Sequence, residues 1–392
     1  MTAPLEGIRV VELAAMIAVP AATHMLASYG AEVIKIEEVR AGDLVRSLGS
    51  QKNGMSAWFA NVNSGKRAIA VDLKTDPGRE ILWRLIETAD VFVEGFRDGV
   101  TESLGFGCGA VRERCPNIIY CSSSGFGPDG PYGGQPAFDN LIQAMAGWGG
   151  IQPVDGKPQL IKHMLADKTG AANNAQSIMA ALIRRGRTGE GAYIRNNMLE
   201  ASVRYLWPDG MMHCTLLDAD ASHMPNILGA YRLYACADGW VSIGAATDQQ
   251  WQAFCAALAR EDLAQDQRFT TAANRSQNMA DWFAAVDEAV SEFSVAEVLR
   301  RLREAEVPVG PLVPTEAVAE HEQVVAMGIV ETAEHPDVGS YLRPRPPTFA
   351  MGERLDLSPA PGHGQHTREV LGELGFADDD IAQFVQQGCV KV

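Results

Sequence analysis

The sequence predicts an α/β protein built on an open, doubly wound parallel sheet, accompanied by a smaller α+β domain. Three observations predict it. Residues 8–37 read as strand, helix and strand. The same alternation recurs as far as residue 122. After about residue 200 the pattern changes to short strands and several helices. A chain of 392 residues has ample material for about two cores.

Each element has its own warrant. Residues 8–13 alternate apolar and polar side chains, the period of a half-buried strand. Pro20 suits the first turn of a helix over 21–29, which Gly30 closes. Residues 32–37 form a buried-type strand, so this first stretch is a βαβ unit long enough for parallel pairing. A strand at 68–73, a helix at 76–89 and strands at 91–93 and 117–122 continue the pattern. Residues 206–223 are irregular, with a turn at 207–210. Beyond them, strands at 231–235 and 240–244 flank a turn at 237–239. Helices are expected at 248–259, 273–292 and 295–305. Residues 343–347, Arg-Pro-Arg-Pro-Pro, read as an extended linker. A helix pair at 367–374 and 378–387 follows.

Composition narrows the function classes. With 46% hydrophobic and 21% charged residues the chain is globular. Its net charge of −16 argues against general nucleic-acid or acidic-membrane binding. Seven cysteines without a C-x-x-C read as free thiols in a reducing compartment. No leader-like segment and no apolar run of about 18 residues is found, so a cytoplasmic protein is expected, without a membrane. The eight histidines lack metal-ligand spacing, and no metal is expected.

Among candidate chemical groups, Asp167 stands first. It precedes apolar positions 171/172, 175, 178/179 and 182, so a helix is expected to begin there. A carboxylate beside unpaired N–H groups at a helix start is held ionised and can be a covalent nucleophile. It can equally be a simple N-cap. Asp139, before the helical run 140–146, is a second carboxylate of the same kind. Gly125-Phe-Gly-Pro-Asp-Gly130 matches G-x-G-x-x-G, but loop continues where a dinucleotide site requires a helix. Lys35, Arg40, Arg46, Lys66, Arg67, Lys74 and Arg97 gather near strand ends. Singly each reads as solvated surface; together they suit a ligand with several phosphates.

Several stretches together resemble the class III CoA-transferase family, which includes formyl-CoA transferase, carnitine CoA-transferase and α-methylacyl-CoA racemase. They are residues 5–13, 26–37, 63–74, 89–97, 124–131, 237–240 and 364–371, in family order along almost the whole chain. The resemblance implies that Asp167 is the family's nucleophile. It implies a large Rossmann-like domain formed from both chain ends, a small α+β domain between, and a homodimer of interlocked rings. The expected boundaries are then 1–200 for the first part of the large domain, 201–226 for a linker, 227–320 for the small domain and 321–392 for the return. The resemblance also implies a CoA-transferase moving CoA from an acyl-CoA to a small carboxylic acid through aspartyl anhydride and aspartyl-CoA thioester intermediates. CoA is then a substrate, and no permanently bound cofactor is expected. Expected catalytic residues are Asp167 and Asp139. Expected CoA contacts are Lys35, Arg40, Arg46, Leu73, Lys74, Phe96, Arg97 and Phe138. The chain departs from relatives at Gly95, Glu38 and 226–230, where a glycine-rich loop of formyl-CoA transferases is missing. An acyl-CoA racemase using Asp167 and Asp139 is the alternative. Phe138 stands where racemases carry a proton-transferring histidine, which disfavours it.

Overall fold

The computed structural model describes residues 2–218, 220–221 and 231–392. The stretch 226–230 and the expected boundary at 226/227 lie outside the described residues. Two compact units form: Met1–Pro208 with Gly328–Val392, and Asp209–Met327.

The first unit is built on a seven-stranded sheet. Its strands are β1 (Arg9–Leu13), β2 (Glu32–Glu37), β3 (Lys66–Val71), β4 (Val91–Glu94), β5 (Ile119–Ser124), β6 (Ala192–Asn197) and β7 (Val390–Lys391). They lie in the order β7-β3-β2-β1-β4-β5-β6, with only the edge strand β7 antiparallel. The six parallel strands thus follow the 3-2-1-4-5-6 order of doubly wound folds, and the order reverses between β1 and β4. Ligands of such sheets bind outside the carboxyl ends at that reversal.

Period-two alternation covers both faces. Val10, Val33, Val91, Val93, Ile119 and Cys121 turn to one face. There they pack with helix α1 (Ala18–Ala27) through Val19, Ala22 and Leu26. Val11, Leu13, Ile34, Ile36, Ile69, Val71 and Phe92 turn to the other. They meet helix α2 (Asp76–Glu87) through Ile81, Leu82, Leu85 and Ile86. Each buried Val, Leu, Ile or Phe among them contributes about 1.5–3 kcal/mol relative to exposure. Two further helices matter for the site: α3 (Asp139–Met145) and α4 (Leu165–Thr188). Ala171, Ala175 and Ile178 of α4 join the α1 face of the core.

The structure departs from the sequence reading in several places. The strand expected at 68–73 starts at Lys66, because pairing with β2 begins at Lys66 opposite Val33. β6 was not expected; its half-exposed edge carries Arg195, Asn196 and Asn197, which mask an apolar pattern. Residues 343–347 are not wholly linker, since Gly339–Pro344 pairs antiparallel with Val330–His335. In the second unit, Tyr234–Ala235, Trp240–Ile243 and Val309–Pro311 form an antiparallel sheet. Its core gathers Trp251, Phe254, Phe269, Val290 and Leu302. The helix expected at 273–292 is two, Ala272–Gln277 and Met279–Ser291, broken at Asn278. Among the described residues no helix is long and apolar enough to cross a membrane.

Candidate active site

Charges buried within the sheet reassign two expected CoA contacts. Glu12 of β1 pairs in register with Lys35 of β2. Its carboxylate accepts from Lys35 Nζ at 2.7 Å, Lys66 Nζ at 2.8 Å and the Thr23 hydroxyl at 2.5 Å. Lys35 Nζ also donates to the Ala14 carbonyl at 2.8 Å and lies 2.9 Å from an Asp43 oxygen. Asp43 in turn accepts the Met16 N–H at 3.1 Å. Lys35 is fully enclosed and holds the loop between β1 and α1. Arg46 is likewise buried. It forks onto Glu37 at 2.7 and 2.8 Å, donates to the Pro361 carbonyl and stacks on Phe59. A buried cation persists only beside its counter-charge, so neither residue is free to bind phosphate. Lys66 shares the Glu12 cluster, and Arg67 pairs with Glu32, Glu369 and Glu373.

Four other expected contacts do come together. At the carboxyl ends of β1 to β4 lies a cleft of about 440 Å³ lined by Arg40, Leu73, Lys74 and Phe96, with Ala15 at one side. A smaller pocket of about 150 Å³ adjoins it. Ala15 and Phe96 line both. Asp167, Asp139, Arg97, Phe138, Met16 and Gly125 line the smaller one. Arg97 and Phe138 therefore stand beside the two aspartates rather than in the larger cleft. The pocket takes residues from the loops after β1 and β4, the strands flanking the order reversal.

Neither aspartate caps its own helix. Met164 precedes α4, and Asp167 is its third residue. Asp139 is the first residue of α3, behind the extended Phe138. Its two oxygens are divided: Oδ2 accepts the Asp167 N–H at 3.0 Å, and Oδ1 accepts the Gln143 amide at 2.5 Å. Asp139 thus satisfies one of the unpaired N–H groups in the first turn of the helix that carries Asp167. Burial first, and the Asp139 charge second, raise the Asp167 carboxyl to about 6, against a hydrogen bond from the Ala18 backbone. The helix start by itself acts in the opposite sense, favouring the ionised carboxylate. At neutral pH most Asp167 is still ionised, and a carboxylate of raised pKa is the more basic nucleophile. Perturbed carboxyls in clefts are typical of functional sites.

Local packing explains how the aspartates arrive here. A Cβ at Gly125 would approach the Ala137 Cβ to 2.2 Å. Only glycine lets the end of β5 touch the residue before Phe138, and that contact sets where α3 begins. Gly125 itself lines the pocket, and none of Gly147–Gly150 does. No helix opens at Gly125–Gly130, where residues 125–138 run as bends, turns and extended backbone. Sequence reasoning missed Gln143, the Ala18 N–H and Met16, whose backbone is left-handed with φ of 70°. The only signal for Gln143 was its spacing of four from Asp139 on a helix.

Similarity to known proteins completes the picture. Residues 5–367 match the model of CoA-transferase family III. The chain is 33% identical over 395 residues to succinyl-CoA:glutarate CoA-transferase of Mus musculus, covering 99% of this chain and 90% of that protein. It is 30% identical over 413 residues to formyl-CoA:oxalate CoA-transferase of Streptomyces avermitilis, covering 100% of each. The crystal structure of a CAIB/BAIF family protein from Brucella suis matches with a TM-score of 0.82 at 30% identity, over 95% of this chain and 100% of that one.

Proposed function

The chain belongs to CoA-transferase family III, and from that premise we propose that Asp167 is the nucleophile of a covalent exchange of CoA between an acyl-CoA and a free carboxylic acid. The observation that carries the reading is placement. Asp167 lines a pocket that shares Ala15 and Phe96 with the Arg40–Lys74 cleft. Phosphates of CoA bind Arg40 and Lys74, because cations near strand ends make charge-assisted hydrogen bonds with phosphoryl oxygens. Leu73 and Phe96 supply apolar surface beside them. The thioester end then reaches Asp167.

The steps balance as follows. An Asp167 oxygen bonds the thioester carbonyl carbon, the carbon–sulfur bond breaks, and CoA leaves as thiolate. The thiolate attacks the aspartyl carbonyl of the mixed anhydride, and the donor acid leaves as carboxylate. The acceptor carboxylate then attacks the Asp167–CoA thioester and expels CoA thiolate, which attacks the acceptor's carbonyl in the new anhydride and releases the Asp167 carboxylate. Each addition places negative charge on an oxygen, for which backbone N–H groups near Gly125 are the proposed donors. Asp139 is assigned as the positioning partner, since its two oxygens accept the Asp167 N–H and the Gln143 amide. CoA enters and leaves as substrate, with no resident cofactor, and the acceptor is a small carboxylic acid. A homodimer of interlocked chains acting in the cytoplasm is part of the same proposal.

The test is exchange between labelled free acid and acyl-CoA, followed by mass spectrometry. Asp167→Asn and Asp167→Ala are expected to abolish exchange. Hydroxylamine is expected to trap an acylated aspartate only in the wild type. Undiminished exchange in either variant would sink the proposal, and solvent deuterium entering the α-carbon without free acid would favour a racemase instead.

A further inference from the structure

We infer that Gln143 is a positioning residue, one that fixes the Asp139–Asp167 pair for attack by tying helix α3 to the segment leading into α4. The inference rests on the reading of Asp167 as nucleophile.

Gln143 is 2% exposed and lies one turn after Asp139. Its Nε2 is 2.5 Å from Asp139 Oδ1, 2.7 Å from the His163 carbonyl oxygen and 3.2 Å from the Ile161 carbonyl oxygen. Its Oε1 accepts the Ile161 N–H at 3.1 Å. This pattern fixes the amide's orientation, since the reverse would set its oxygen against three oxygens. Two N–H bonds serve three acceptors, so one is shared. Residues 161–163 are neither helix nor strand, and α4 begins two residues later. One buried side chain therefore joins the start of α3 to the approach of α4. A buried amide costs stability unless fully bonded, where an apolar residue of similar size would pack at no such cost. What the amide adds is geometry.

Asp139 is gripped from both sides, accepting from Gln143 through one oxygen and from the Asp167 N–H through the other. The charged groups around the pair are Arg97 in the same pocket and Lys168, which lies 3.0 Å from His163 Nε2.

The experiment compares Gln143→Glu and Gln143→Met with wild type in the full-length enzyme, with folding checked by circular dichroism. Gln143→Glu keeps size and the acceptor for Ile161 but turns an acceptor toward Asp139. Its kcat is expected to fall about 100-fold, the scale of a misplaced reacting group. Its KM for acyl-CoA is expected to change less than about threefold, as befits lost transition-state geometry. The acid limb of its kcat profile is expected to rise by about one pH unit, because an added negative charge disfavours ionising Asp167. Gln143→Met is expected to lower kcat about 10-fold with no upward shift of the limb. If Gln143→Glu does not fold, Gln143→Met carries the test alone. Wild-type kcat in a folded variant overturns the inference, and so does a KM that rises as far as kcat falls. Asp167→Asn run alongside separates the two claims. Exchange surviving in Asp167→Asn defeats the nucleophile, whereas exchange lost there but intact in both Gln143 variants defeats only the positioning role.

Discussion

Asp167 acquires its reactivity from neighbours that are far away in the chain. Its position before an apolar-periodic helix was legible, because helix starts leave a local signature. The sense of its pKa shift was not. Burial and the Asp139 charge raise it to about 6, and both are products of tertiary packing. The rate of exchange is therefore expected to fall as pH drops through about 6, where Asp167 takes up a proton. Asp139→Asn keeps an oxygen for the Asp167 N–H but removes the repelling charge. Its acid limb is expected to move down, toward the ordinary carboxylate range, in kcat measured against pH. An unmoved limb would mean that burial alone sets the shift. Lys35 shows the converse failure. As one of a group of basic residues it looked like a phosphate ligand, and only the in-register Glu12 on the adjacent strand reveals it as a buried structural charge.

At the scale of elements, alternation and capping were readable, and pairing partners were not. Strands of the sheet's centre announce themselves because both faces are covered and their apolar content is high. β6 and β7 escape: one has a polar edge, and the other has only two residues. The junction of β5 with α3 depends on one contact, Gly125 against Ala137. Gly125→Ala is expected to force these backbones apart, costing about 1–3 kcal/mol as overpacking does. Because Ala137 leads into Asp139, exchange should fall with it. Thermal denaturation and initial rates on the same preparation check both. A variant with unchanged melting temperature and rate would show that the contact yields freely.

At the scale of the whole molecule, the sheet of the first unit encloses charges shut off from water. Burial works against an ionised Glu12, but Lys35 and Lys66 together outweigh it and bring its carboxyl down to about 2. Stability from this cluster is thus present above the ordinary carboxyl range and is lost as pH falls through it toward 2. Glu12→Gln leaves two buried ammonium groups short of a counter-charge. It is expected to destabilise the protein by about 3–5 kcal/mol, measured by urea unfolding at pH 7. A loss below about 1 kcal/mol would mean that water or Asp43 compensates. The 3-2-1-4-5-6 order itself was beyond the sequence. Local patterns name strands, while their neighbours are settled by registers between residues far apart in the chain, such as Lys66 opposite Val33 and Ile119 opposite Val91. The residues that build the site were recoverable only where a local motif carried them.

Ala15 and Phe96 line both the cleft and the pocket, so a substrate reaching from one to the other would pass them. Ala15 contributes only one methyl group to that passage. Ala15→Phe should plug it while leaving the Arg40–Lys74 end untouched. Calorimetry is expected to find free CoA bound within about threefold of wild type, while turnover stops, since a nucleotide anchor without passage contributes binding but no transition-state contact. Occupancy and turnover would then be uncoupled in one protein, giving a stalled enzyme that still sequesters its carrier.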